Sequence, residues 1–190
     1  MKDLKKWKTL KSDLVFNNPW CQIRQDEVEL PNGKVIDDFF VNIRPDIALV
    51  FALTENQEIV FVRQYRHGVG EIFMELPAGA VDPDVESAES GAMRELTEET
   101  GYTAGHLTKI ATLYDNPVKD TNKLHLFFAI NAKKSSEQVL DITEDIEVVL
   151  VPASEVLDKI AAGDICVSGS LAAIFLGLNY LRKLERDLTP

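Results

Sequence analysis

Three glutamates in the stretch Arg94-Glu95-Leu96-Thr97-Glu98-Glu99-Thr100-Gly101 carry the clearest chemistry in this 190-residue chain. In a helix, Glu95, Glu98 and Glu99 stand at i, i+3 and i+4 and project from one face. Like charges at that spacing cost an isolated helix roughly 0.2–0.5 kcal/mol per pair. A divalent cation turns that cost into a binding site. Hard oxygen ligands on a rigid helix suit Mg²⁺, which completes its shell with water and substrate phosphates. Residue type and spacing therefore point to metal-dependent phosphate chemistry.

A helix that presents these acids must bury its other side. Ala88, Ala92 and Leu96 form an apolar spine at four-residue spacing, and Gly101 stands where a left-handed C-terminal cap is wanted. The pattern predicts helices at about 86–99, 153–162 and 170–186, the last with a stripe of Leu171, Ile174, Phe175, Leu178 and Leu181. Residues 20–30 and 34–43 read as strands flanking Pro31-Asn32-Gly33, a hairpin signal. Ile47–Leu53 and Ile59–Gln64 read as a second hairpin, and 107–114, 123–131 and 146–151 add further strands. This mixed order predicts an α+β fold, an α/β/α sandwich around a mixed sheet.

Gly79, Glu86, Arg94, Glu95, Leu96, Glu98, Glu99, Gly101 and Tyr102 together resemble the Nudix box. That motif runs Gly, five residues, Glu, seven residues, then Arg-Glu-apolar-any-Glu-Glu-any-Gly-apolar. The chain departs from it once: six residues, not five, separate Gly79 from Glu86. The extra residue falls in Asp82-Pro83-Asp84, a turn-forming stretch that tolerates insertion. Val62-Arg63-Gln64-Tyr65-Arg66 and Glu75-Leu76-Pro77-Ala78-Gly79 are similar to the ADP-ribose and nucleotide-sugar pyrophosphatase branch. The likeness runs from about Trp7 to Leu184.

The resemblance implies the Nudix sandwich and a chain in two parts. Residues 1–45 would be an N-terminal β extension that helps build a homodimer, and 46–190 the catalytic domain. It implies that Glu95 and Glu99 are direct Mg²⁺ ligands, that Glu98 is a ligand or positions bound water, and that the Ala78 carbonyl is a ligand. Gly79, Glu86, Arg94 and Gly101 would brace the loop–helix–loop. Two or more ions are implied, and Mn²⁺ accepts the same oxygen donors.

The branch carries its catalytic base on a late acidic loop, two residues before another metal-binding glutamate. Glu144 matches that glutamate, but two positions earlier stands Ile142, which cannot accept a proton. Asp141, Asp145, Glu144 and Glu98 all stay open as the base. Arg66 is the first choice for binding phosphate, because its planar fork suits bidentate contact. Arg63 could act likewise, and Glu75 is expected to contact the ribose. Trp20, Phe39 and Phe40 are expected to be buried in the N-terminal sheet. His67, His106 and His125 show no zinc spacing.

Composition narrows the class. At 45% hydrophobic and 27% charged residues the chain can bury a real core. A net charge of −11 argues against wrapping a nucleic-acid polymer, since that binding relies on Lys and Arg. It does not argue against a small nucleotide, whose phosphates a bound cation screens. Cys21 and Cys166 lack metal-ligand spacing and are expected as reduced thiols. No apolar run approaches the roughly 18 residues of a membrane span. The lysine-rich N-terminus is followed by polar residues, not a signal-peptide core, so a cytoplasmic location is expected.

The expected activity is Mg²⁺-dependent cleavage of the pyrophosphate bond in a nucleoside diphosphate derivative, ADP-ribose before a nucleotide sugar. The alternative is a Nudix-fold module that senses a nucleotide without turning it over. Ile142 in the late loop speaks for the sensor; the complete Glu95, Glu98 and Glu99 set speaks for the enzyme.

Overall fold

The computed structural model describes residues 3–188. Among the described residues, eleven strands and three helices follow in order: β1 (Lys8–Asn18), β2 (Cys21–Glu29), β3 (Val35–Ile43), β4 (Asp46–Thr54), β5 (Glu58–Arg66), β6 (Glu71–Glu75), β7 (Ala78–Val81), α1 (Ala88–Thr100), β8 (Tyr102–Thr103), β9 (Thr108–Leu113), β10 (Leu124–Lys134), β11 (Ile146–Pro152), α2 (Val156–Ala162) and α3 (Ser168–Leu188). They form two compact units. Among the described residues, one holds 3–45 together with Tyr114–Asn122, and the other holds Asp46–Leu113 and 123–188.

The first unit is an antiparallel sheet in the order β1-β2-β3. Its β2–β3 turn closes where the sequence places it: Gly33 takes a φ of 83°, and its N–H donates to the Leu30 carbonyl at 2.9 Å. Segment 114–122 runs along β3, with the Asn42 amide donating to the Lys119 carbonyl and the Asn42 side chain to Asp120, both at 2.8 Å. Expected burial of the aromatics is not realised, because a single three-stranded sheet has too little area to cover them. Trp20 is 86% exposed and Phe40 is also exposed. Phe39 is half-buried between the Trp7 ring and the Lys119 ammonium, 4.7 Å from its centroid.

In the second unit, β4 explains its own composition. Ala48, Val50 and Ala52 point to one face and Leu49, Phe51 and Leu53 to the other, and all six are buried. A strand covered on both faces reads as a continuous apolar run instead of an alternation. The first set packs with Ala92 and Leu96 of α1; the second packs with Ala173 and Ile174 of α3 and Val156 of α2. The sheet order is β11-β5-β4-β10-β8, with β6 on β5, β7 on β4 and β9 on β10. Pairing of β10 with β4 is parallel and the others are antiparallel, so the sheet is mixed.

Two local expectations change. β4 and β5 meet only at Leu53 and Ile59 around a tight turn, then part, β5 pairing with β6 and β11. Phe175 does not join the α3 stripe and stands 54% exposed. Beside it, Gly177 lets the Phe51 ring approach so closely that a β-carbon there would overlap it.

Candidate active site

The acidic helix is set by its caps. The Ser87 hydroxyl accepts the Ser90 N–H at 3.1 Å at the N-terminus. At the other end Gly101 takes a φ of 73° and donates to the Thr97 carbonyl. A side chain at Gly101 would also strike the Ser136 carbonyl. Glu86 lies outside the helix, in a turn where the Val85 and Glu86 N–H groups both donate to the Asp82 carbonyl at 3.0 Å. The additional residue of the Asp82-Pro83-Asp84 stretch is absorbed there, and Glu86 still reaches Arg94.

Arg94 is the hub of the helix face. Its Nη2 meets Glu86 Oε1 at 2.7 Å and the Ala80 carbonyl at 3.1 Å. Its Nη1 meets Glu95 Oε1 at 2.7 Å and Glu98 Oε2 at 2.9 Å. The hydrogen bond to Glu86, with those to Glu95 and Glu98, holds the guanidinium more firmly protonated than usual. One planar fork thus joins the entry turn, β7 and α1, which a lysine could not do.

Glu99 lies deepest, at 3% exposure, and its Oε2 accepts the Ala78 N–H at 3.0 Å. Burial pushes its carboxyl up to about 8, with Glu95 and Glu144 adding to the shift and Ala78 and Arg66 opposing it. Glu95 is also raised, by burial first and by the charges of Glu98 and Glu144, against the pull of Arg94. Glu144, from the late loop, therefore lies in the field of both helix acids. It is fixed in that loop by the Asp141 N–H, which donates to its Oε2 at 2.9 Å. Ile142 is fully exposed.

Arg66 faces the same acids: its guanidinium is raised by its hydrogen bond to Glu75 and by the charges of Glu75, Glu99 and Glu144. Glu75 holds it through both oxygens, Nε–Oε1 at 2.8 Å and Nη2–Oε2 at 3.1 Å. The buried Glu75 carboxylate is thus engaged by Arg66 and orients that fork.

Arg63 is placed elsewhere. Three residues apart on a strand, Arg63 and Arg66 point to opposite sheet faces. Arg63 shares the side of Phe61, pairs with Glu147 at 2.7 Å, and borders a shallow cleft with Tyr65, Ile72 and Asp145. His125 is tied to Asp46 at 2.9 Å and His67 to the Tyr65 hydroxyl at 3.2 Å.

Among the described residues, no three His, Cys, Asp or Glu side chains converge into a ready metal cluster. The reason is visible in the contacts: Arg94 holds Glu95 and Glu98 toward itself, and Glu99 is turned to the Ala78 amide. The donor set nonetheless fits a hard divalent cation. Glu95, Glu99 and Glu144 sit within one another's field beside the Ala78 backbone, and the rise of the Glu99 carboxyl, caused first by burial and then by the neighbouring Glu95 and Glu144 charges, is what a bound cation would relieve. Two participants lack any sequence signal: the Ala80 carbonyl under Arg94, and Gln138, whose Nε2 donates to the Glu99 carbonyl at 2.7 Å.

This combination of sheet, acidic helix and arginine hub is that of the Nudix class, and comparison with known proteins agrees. The NUDIX domain profile matches residues 43–168, and the profile of the nucleoside diphosphate sugar hydrolase N-terminal domain matches residues 7–42. The chain belongs to the Nudix family. It is 34% identical to the ADP-ribose pyrophosphatase of Bacillus subtilis strain 168 over 87% of this chain and 88% of that one. It is 30% identical to the methanol dehydrogenase activator of Bacillus methanolicus over 88% and 90%, and 33% identical to the GDP-mannose pyrophosphatase of Cronobacter sakazakii over 57% and 60%. Its fold superposes on a crystal structure of an ADP compounds hydrolase with a TM-score of 0.85, at 23% identity, covering 98% of this chain and all of that one.

Proposed function

We propose that this Nudix pyrophosphohydrolase cleaves the diphosphate of ADP-ribose first and of nucleotide sugars second, with Mg²⁺ held by Glu95, Glu98, Glu99, Glu144 and the Ala78 carbonyl. The observation that carries the reading is the shared field of Arg66, Glu144, Glu95 and buried Glu99. Relatives named as ADP-ribose and GDP-mannose pyrophosphatases support the substrate class. When bound, the metal neutralises diphosphate oxygens and lowers the pKa of water.

The protein groups divide the remaining work. Arg66, oriented by Glu75, binds a phosphate with the N–H groups that Glu75 leaves free. Glu144 takes the proton of the attacking water, since Ile142 has no acceptor and Glu98 is already gripped by Arg94. Gly79, Glu86, Arg94 and Gly101 brace the frame. The set of three helix acids, intact and joined by Glu144, favours turnover over sensing.

Residues 1–45 serve as the dimer-forming element and 46–190 as the catalytic part. Leu10, Leu14, Val15 and Phe16 of β1 are all exposed, and an apolar strand surface of that kind is suited to a second copy. No described helix is long and apolar enough to cross a membrane, and both cysteines are free, as a cytoplasmic location would require.

The deciding experiment is hydrolysis of ADP-ribose, ADP-glucose, GDP-mannose, NADH, a diadenosine polyphosphate and dGTP, with and without Mg²⁺. Metal-dependent release of AMP from ADP-ribose, faster than turnover of the other compounds, is expected. Faster turnover of dGTP would overturn the substrate class.

A further inference from the structure

Between β10 and β11 the chain passes through 135–145 without regular structure, yet this segment must deliver Glu144 to the acidic face of α1. Backbone bonds stitch its first half to the end of the helix: Ser135 N–H to the Gly101 carbonyl at 2.8 Å and Val139 N–H to the Glu98 carbonyl at 2.9 Å. These carbonyls belong to the last helical turn and its cap, where they lack N–H donors inside the helix. The second half, which carries Glu144, is tied differently. The half-buried Gln138 amide nitrogen has two hydrogens; one goes to the Glu99 carbonyl at 2.7 Å and the other to the Ile146 carbonyl at 3.0 Å. A single side chain therefore spans from the backbone of the deepest acid to a residue two places beyond Glu144.

We propose that Gln138 is a positioning residue for the Nudix site: it fixes the span between Glu99 and Ile146 and so holds the Glu144 carboxylate against the acids of α1. The proposal rests on the reading of Glu144 as metal ligand and base. Without both amide hydrogens the loop keeps its backbone anchors at 135 and 139 and the β11–β5 pairing that starts at Ile146, while the turn between them loses the side-chain tie that sets the distance of Glu144 from the helix. Glu144 then reaches the site for only part of the time.

The test is a double-mutant cycle on the full-length chain with Gln138→Met, which keeps the volume and removes both donors, and Glu144→Gln. Two quantities are read in each variant: Mn²⁺ affinity without nucleotide, by electron paramagnetic resonance, and kcat and KM for ADP-ribose with Mg²⁺. Supporting partners of metal ligands typically contribute about 10- to 100-fold in affinity or activity. Gln138→Met is expected to weaken Mn²⁺ binding and lower kcat by about 10-fold with little change in KM, at the lower end of that range. In the Glu144→Gln background the same change should cost less than about 2-fold, because residues acting through one another are not additive. Equal losses in both backgrounds, or no loss in either, overturn the proposal. Full kcat in Glu144→Gln alone overturns the catalytic reading instead, and the Mn²⁺ cycle still decides the role of Gln138. Circular dichroism melting of Gln138→Met within a few degrees of the parent separates displacement of Glu144 from unfolding; if Gln138→Met melts far lower, Gln138→Asn, which keeps the donors on a shorter arm, must recover part of the Mn²⁺ affinity or the proposal fails.

Discussion

Gly79 and Glu95 are in such close register that a β-carbon on Gly79 would fall onto the Glu95 carboxylate. The glycine is there to leave room for an acid, since its own backbone needs no left-handed conformation. Gly79→Ala should therefore displace Glu95 from Arg94 and reduce metal-dependent turnover by about 10- to 100-fold, the usual effect of disturbing a ligand's surroundings. What must move is the end of a flexible side chain and not backbone, so the melting temperature should change little. A variant with parental turnover would show that the carboxylate has space to spare.

The pH dependence of the metal-free protein follows from Glu99. Its carboxyl is raised from 4.5 to about 8, so between these values the folded state binds more protons than the unfolded one. Its contribution is fully present below the lower value and is lost as pH rises through the upper one. In EDTA the melting temperature should fall as pH rises from 5 to 8, and Glu99→Gln should flatten that fall. Cation binding must displace the same proton, so Mn²⁺ affinity should tighten up to about 10-fold per pH unit below about 8. Affinity independent of pH over this window would remove Glu99 from the ligand set.

Arg94 joins three elements through a planar fork. Arg94→Lys keeps the charge but cannot reach Glu86, Ala80, Glu95 and Glu98 together. Melting in EDTA should drop by about 2–4 °C, the shift that roughly 1 kcal/mol produces at this chain length. Glu86→Gln should act similarly, and the pair should fall short of the sum because both break one network. Strict additivity would mean that Glu86 and Arg94 act separately.

Among the late-loop acids, Glu144→Gln should lower kcat by about 10²- to 10⁴-fold, the usual span for a lost general base. Asp141→Asn and Asp145→Asn should change it little. A large effect at Asp145 with none at Glu144 would move the base one residue along.

Self-association should reside in β1. Leu14→Glu, at an exposed apolar position, should convert a dimer to a monomer by light scattering without lowering the melting of the 46–190 part. A parent that is already monomeric at micromolar concentration would end the dimer proposal.

The acidic helix was legible because three glutamates at i, i+3 and i+4 with an alanine–leucine spine have few other uses, and Gly101 marks its end. The buried core of the sheet was legible too, since the apolar run in β4 is what a strand covered on both faces requires. β6 and β7 were not: at five and four residues they are too short to show an alternation. Segment 114–122 carries no periodicity and finds its place through backbone and side-chain bonds to Asn42 and Arg44 that no sequence pattern announces. Arg63 and Arg66 illustrate a different limit. Strand parity separates their faces, but only the positions of Phe61 and Val60 say which face holds the acids. Gln138 is a polar residue in a polar loop, and its two acceptors are backbone atoms about which side-chain patterns say nothing.

The turn from Asp82 to Glu86 has a consequence for how such proteins are recognised. Arg94 grips Glu86 by position, and the turn that delivers Glu86 gathers its slack on one carbonyl, with Val85 left in solvent. The Arg94–Glu86 contact thereby depends on where the acid arrives and not on how many residues precede it. A search that demands five residues between that glycine and that acid would pass over this chain, although its brace between Glu86 and Arg94 is formed.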